Sequence, residues 1–226
     1  LSNLRREQIG NAALYLADCR AVLPMLRGVA AVLSDPPFGI GYKSGHATAE
    51  LWSGGDLIAG DECTAARDAA INMLGEVPML MFGSRKAPLP PKHKMTLTWD
   101  KGPALGMGDL TLPWKPTTEE IYVINRGFVG RRDKGAVVYH PPVQSMAKNG
   151  RQHPNEKPVG LLRILLQSLP SGLICDPFMG SGSTGVACAA EQRPFVGVEV
   201  IPAYFDIACR RIEEAQRQGQ LFKEVA

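Results

Sequence analysis

The sequence has no apolar run approaching the roughly 18 to 20 residues of a membrane-spanning helix, so no membrane partner is expected. It has only five cysteines, at 19, 63, 175, 188 and 209, scattered, odd in number and without Cys-x-x-Cys spacing. That pattern excludes a disulfide framework and a zinc cluster and points to a reducing, cytoplasmic setting. His46, His93, His140 and His153 show no metal-ligand spacing, so no metal is expected. No basic-then-apolar leader opens the chain, and its start on Leu1 rather than Met reads as a trimmed or partial chain. Charge of one sign is also scarce: 25 basic against 22 acidic residues leave only +3. Taken as an average, that gives no hint of a nucleic-acid partner.

What is present alters the last point. From Arg85 to Lys157 there are 13 Lys and Arg against 6 Asp and Glu, a net of +7, which leaves the remainder at −4. A polarised chain of this kind reads either as a solvated basic face or as a phosphate-binding surface. The length of 226 residues suits one domain spanning 1–226. Short apolar runs recur at Leu14–Ala17, Ala30–Leu33, Val77–Phe82, Met95–Trp99, Ile121–Ile124, Leu173–Cys175 and Phe195–Val200. Most are continuously apolar, as in parallel strands covered on both faces. Helical patterns lie at Thr64–Leu74, Pro158–Leu169 and Gly182–Ala190, and Ile201, Phe205, Ala208 and Ile212 form a stripe on a last helix. The alternation predicts an α/β, Rossmann-like doubly wound domain. Residues 39–60 read as a long mobile loop, and 126–157 as a basic segment rich in glycine and proline.

Two segments carry candidate chemistry. Leu173 to Gly185 reads as strand, glycine turn and helix start, with Gly180, Gly182 and Gly185 spaced as G-x-G-x-x-G. Glycines permit close backbone approach, and helix amides then face a ligand. Glu199 ends the next strand, where a carboxylate can accept from both ribose hydroxyls of an adenosine-type cofactor. A nicotinamide-binding Rossmann protein satisfies the same pattern. The second segment is Asp35-Pro36-Pro37-Phe38, placed after an apolar strand. Its prolines stiffen a turn that offers a carboxylate, a carbonyl and an aromatic face. A ring-bound amine is a poor nucleophile because its lone pair is conjugated. The Asp35 carboxylate and the Pro36 carbonyl could hold its two N–H groups and free that lone pair, while Phe38 stacks on the ring.

Together these segments resemble the S-adenosylmethionine-dependent DNA amino-methyltransferases, with Asp35–Phe38 like their catalytic motif and Asp176–Thr184 like their cofactor motif. Further similarities lie at Leu16–Cys19, Leu97–Lys101, Glu119–Ile124, His153–Pro158 and Val196–Glu199, so the likeness spans about residues 14–212. The catalytic tetrapeptide precedes the glycine loop, an order typical of the circularly permuted beta group of bacteria and phages. The resemblance implies a class I methyltransferase fold with seven strands, one of them antiparallel. It implies S-adenosyl-L-methionine held by Asp18, Cys19, Asp35, Lys157, Asp176, Phe178, Gly180, Ser181, Gly182, Thr184 and Glu199. It implies double-stranded DNA as partner and residues 126–152 as a small target-recognition insertion, in a bacterial or phage-infected cytoplasm. Candidate DNA contacts are Lys43, Arg126, Arg131, Arg132, Lys134, Lys148 and Arg151. A homodimer and a cognate restriction endonuclease are the other partners the family brings with it.

Asp at the first tetrapeptide position accompanies adenine-N6 transfer in most of the family, so a flipped-out adenine is the expected target. Cytosine-N4 transfer, a catalytically silent DNA-binding regulator and a nicotinamide-dependent oxidoreductase are the alternatives. The last leaves Asp35–Phe38 unexplained.

Overall fold

The structure is a computed structural model that describes residues 4–41, 61–103, 111, 113–143 and 156–224, with side chains through Gly219. Its elements in chain order are β1 (Arg5–Ile9), β2 (Ala12–Leu16), α1 (Cys19–Val22), a 3-10 turn (Leu23–Met25), β3 (Val29–Ser34) and α2 (Ala65–Leu74). Then come β4 (Met79–Gly83), β5 (His93–Asp100), β6 (Thr118–Ile124), β7 (Val137–Tyr139), α3 (Val159–Leu166), β8 (Leu173–Asp176), α4 (Ser183–Ala190), β9 (Phe195–Glu199) and α5 (Pro202–Glu224).

Among the described residues one sheet runs β1-β2-β9-β8-β3-β4-β6-β5-β7. It has nine strands rather than the expected seven. β6 is antiparallel to both its neighbours, β4 and β5, and β1 is antiparallel to β2. The other pairings are parallel. The two unexpected strands, β1 and β7, lie at the edges. Arg5, Arg6 and Glu7 give β1 no apolar signature, and such charge is what an edge strand tolerates. It forms by hairpin pairing to β2 across Gly10 (φ +55°) and Asn11. β7 is only three residues long.

The apolar runs are continuous because both faces are covered. Leu33, Leu80, Ile174 and Phe195 pack with Leu162, Leu165 and Leu166 of α3, Ala187 and Cys188 of α4, and Phe205, Ala208 and Ile212 of α5. Val32, Met79, Met81, Cys175 and Val198 face Cys19, Val22, Ala70 and Ile71 on the other side. Neighbouring residues along each strand therefore enter opposite core layers. Gly83 ends β4 where no side chain fits: a Cβ there would lie 2.0 Å from Cε2 of Tyr122. That ring crosses the strand end, and its hydroxyl donates to the Ser84 carbonyl at 2.8 Å.

Candidate active site

The parallel strands point their carboxyl ends one way, and the loops that follow them enclose a cavity of about 930 Å³. One end is lined by Asp18, Cys19, Phe178, Gly180, Glu199 and Tyr204, the other by Asp35, Pro36, Pro37, Phe38, Lys157 and Glu119. This is where an open α/β sheet offers a ligand site. Ten of the residues singled out from the sequence thus share one cavity, although they come from five segments.

At the first end, Glu199 is buried, and burial pushes its carboxyl up, against the backbone amides that favour its charge. Its Oε1 accepts from the amides of Val200 (3.0 Å) and Ile201 (2.8 Å), and Oε2 from Gly180 N–H (2.9 Å). Oε2 keeps capacity for one more donor. Asp18 caps α1 through the Arg20 amide at 2.8 Å and pairs with the Arg20 guanidinium, whose hydrogen bond holds the Asp18 carboxyl below its ordinary range.

The glycines of the loop do different work. Gly180 (φ +52°) has open space where a Cβ would stand. Gly182 (φ +83°) is pressed against Ala208, 2.9 Å from the site of its missing Cβ, and lines neither cavity. Asp176, Ser181 and Thr184 are also absent from the main cavity and line a smaller one of about 70 Å³ behind it. Asp176 accepts from the Ser34 hydroxyl at 2.6 Å and the Phe178 amide at 3.1 Å, which ties β8 to β3. Burial pushes its carboxyl up to about 6, against hydrogen bonds from Ser34 and Thr184. Arg211 of α5 donates to the carbonyl and hydroxyl of Ser181, both at 2.8 Å, and pairs with Glu156.

At the other end, Asp61 holds the turn after the tetrapeptide by accepting the Gly39 amide at 2.7 Å. Asp35 has two unlike oxygens. Oδ2 accepts from Lys157 Nζ at 2.7 Å, while Oδ1 is buried with no hydrogen-bond partner among the described residues. Lys157 Nζ also lies 2.9 Å from Glu119 Oε1, and Lys101 Nζ 2.8 Å from Glu119 Oε2. The rings of Phe82 and Phe38 lie 4.8 and 5.8 Å from Lys157 Nζ. Burial raises the Asp35 carboxyl and Glu119 adds to this, with Lys157 and Lys101 opposing. Burial disfavours the Lys157 charge, yet the two carboxylates more than offset it and raise its proton affinity. Lys157 was expected at the cofactor. It lines the shared cavity, but its ammonium is bonded to the candidate catalytic carboxylate.

Four of the candidate DNA contacts lie apart from the cavity. Arg126, Arg131, Arg132 and Lys134 are exposed but line no part of the cavity. Because β6 runs antiparallel, the chain after Ile124 emerges at the amino ends of the parallel strands. There Asn125 bonds the carbonyls of Gly75 and Val77, and Lys134 reaches Ser168 at 3.4 Å. Among the described residues the cations that line the cavity are Arg20, Arg85, Lys86, Lys101, Lys115 and Lys157. Sequence reasoning missed Arg85, Lys86 and Lys115, whose only signal was membership of the +7 segment. Lys43, Lys148 and Arg151 lie outside the described residues, as do 42–60 of the expected loop and 144–152 of the expected insertion.

A family model described as DNA methylase, of the N6/N4 methyltransferase type, matches residues 82–210, more than half of the chain. The chain belongs to the DNA methylase family. Among its relatives, YubD of Escherichia coli (strain K12), named as a methylase, is 26% identical over 219 residues, covering 90% of this chain and 91% of that protein. DNA adenine methyltransferase YhdJ of the same organism is 36% identical over 83 residues, covering 36% of this chain and 28% of its own length. Among solved structures, the M1.HpyAVI–SAM complex matches with a TM-score of 0.61 at 20% identity, covering 88% of this chain and 99% of that one. PvuII DNA methyltransferase, cytosine-N4-specific, matches with a TM-score of 0.66 at 14% identity, covering 96% and 95%. At such identities the two structures establish a common fold: that of S-adenosylmethionine-dependent methyltransferases, built on a mixed sheet.

Proposed function

We propose that this DNA methylase transfers a methyl group from S-adenosylmethionine to the exocyclic N6 amine of a flipped-out adenine in a specific DNA sequence, as a permuted, beta-group enzyme. The observation that carries the reading is the Asp35 carboxylate, in a residue that lines the cavity: its Oδ2 is occupied by Lys157 while Oδ1 is buried and unpartnered among the described residues. An unmatched buried acceptor is costly, and a donor supplied by a ligand would relieve that cost. An exocyclic amine supplies such a donor.

The cavity suits the cofactor. Glu199 lines the cavity and its Oε2 keeps acceptor capacity for a ribose hydroxyl, and Gly180 has open space beside its backbone. When bound, S-adenosylmethionine supplies an electrophilic methyl on a sulfonium. The chain's own residues do the rest. Asp35 Oδ1 and the Pro36 carbonyl accept the two N–H groups of the amine, and Phe38 stacks on the base for about 1–3 kcal/mol. That offsets part of the few kcal/mol needed to extract the base from the duplex. Asp35 Oδ1 also stands where the amine's proton leaves, and burial raises its proton affinity. Arg85, Lys86 and Lys115 at the cavity rim supply phosphate contacts. The adenine reading rests on Asp35, and the beta-group reading on the order of tetrapeptide and glycine loop. Cytosine-N4 transfer is the second reading, because the PvuII enzyme shares the fold.

The test is incubation with S-adenosylmethionine and genomic DNA, followed by nucleoside mass spectrometry. N6-methyladenine is expected. N4-methylcytosine overturns the adenine reading, and cofactor binding without DNA methylation overturns catalysis in favour of a silent regulator.

A further inference from the structure

Glu119 was noted in the sequence only as part of a core strand. The structure gives it a more specific place. It is the second residue of β6, the strand whose antiparallel direction brings its amino end to the carboxyl ends of the others. Each of its two oxygens lies against an ammonium group, Lys101 at 2.8 Å and Lys157 at 2.9 Å. Lys157 in turn reaches Asp35 at 2.7 Å. The result is an alternating line of four charges, Lys101–Glu119–Lys157–Asp35, contributed by four separate segments. The side chains of Lys157 and Glu119 are only 8% and 15% exposed, so water screens these contacts little.

We propose that Glu119 is a positioning residue for the methyl-transfer site: by sharing Lys157 it holds that ammonium on one Asp35 oxygen and keeps the other free for the substrate amine. The geometry supplies the reason. An ammonium has three donors and no directional fork. With Asp35 as its only carboxylate, Lys157 would move onto both Asp35 oxygens and block the acceptor that the base requires. Glu119 pulls it to the opposite side, and the faces of Phe82 and Phe38 bound its remaining freedom. Lys101, itself 4.7 Å from the Trp99 ring centroid, prevents Glu119 from turning wholly toward Lys157.

The charged groups facing Asp35 are Lys157, Glu119 and Lys101, with Asp176 behind it on β8. Glu119 raises the Asp35 proton affinity and Lys101 lowers it. Opposite signs make the test specific. Glu119→Gln should move the Asp35 titration midpoint to lower pH, and Lys101→Met should move it to higher pH.

Both midpoints can be read by NMR of protein carrying carboxyl-13C aspartate, with the Asp35 signal assigned through Asp35→Asn. In parallel, Glu119→Gln should lower kcat by about 10- to 100-fold, by analogy with the loss of an outer partner that orients a metal ligand, with little change in the Kd of S-adenosylmethionine. Shifts of opposite sign together with the kcat loss support the proposal. Unmoved midpoints, shifts of the same sign, or an unchanged kcat in Glu119→Gln overturn it. The proposal rests on the methyl-transfer reading, and the two fail differently. Opposite NMR shifts in the two variants, alongside a wild-type protein that methylates no DNA, would leave the charge line intact, overturn its catalytic purpose and refute that reading.

Discussion

Asp35 shows how much one side chain's surroundings matter. Asp35→Asn preserves shape but removes the charge and puts a donor where an acceptor is needed. Methyl transfer should fall by at least about 10²-fold, the scale for losing one positioned polar group. Cofactor affinity should hold, because Glu199, Gly180 and Phe178 at the other end are untouched. Single-turnover methylation beside titration calorimetry checks both, and an active Asn variant would remove Asp35 from the chemistry. At this scale the sequence was readable where chemistry sits in a contiguous motif. Asp35–Phe38 could be recognised as a unit, whereas Glu119 could not, since its partners at 101 and 157 are brought to it only by folding.

Elements explain why the three glycines of one pattern are not equivalent. Gly185 is pressed on Ile212 and Phe195, Gly182 on Ala208, and only Gly180 has open space beside it. Gly182→Ala should therefore cost about 1–3 kcal/mol from overpacking against α5, besides about 1 kcal/mol for a left-handed non-glycine residue. Gly180→Ala should bear only the second cost, yet should weaken S-adenosylmethionine more for each kcal/mol of stability removed. Urea midpoints and cofactor titrations on both variants decide this, and equal midpoints would contradict the packing assignment. The main strands and helices were legible because both faces of the sheet are covered and the apolar runs advertise it. The edge strands were not. β1 is charged, and β7 is a short run whose residues Val137 and Tyr139 remain largely exposed.

On the scale of the molecule, folding separates cations that lie in one segment of the sequence. The basic segment divides between the two ends of the sheet: Arg85, Lys86 and Lys115 at the cavity, and Arg126, Arg131, Arg132 and Lys134 far from it. Replacing Arg85, Lys86 and Lys115 with Ala should weaken DNA binding and flatten its salt dependence by about 0.9 in log–log slope for each phosphate no longer neutralised. The same change at Arg126, Arg131 and Arg132 should alter the slope less. Equal slopes for the two triple variants would show that total charge, not placement, governs binding.

Stability carries its own signature of the buried site. Asp176 titrates near 3.8 when unperturbed and about 6 when folded. Between those values the folded chain holds a proton that the unfolded chain releases. Its contribution is therefore present at low pH and lost as pH rises through about 4 to 6, amounting to about 2–3 kcal/mol. Thermal unfolding from pH 4 to 7 should show the Tm of Asp176→Asn gaining on wild type across that window, and a constant gap would contradict it.

Short contiguous segments determined the α/β class, the glycine loop with its acidic strand end, and the proline-stiffened tetrapeptide. Their order and composition are properties of the chain itself, and local propensity and backbone restriction act over a few residues. The tertiary structure decided which cations face the cavity and which groups share Lys157. Both depend on the antiparallel entry of β6 between β4 and β5. That pairing sends the segment just after Ile124 to the far end of the sheet and delivers Glu119 to the near one. Strand direction within a sheet is set by long-range hydrogen bonding and by burial of both faces, and no local run of residues encodes it.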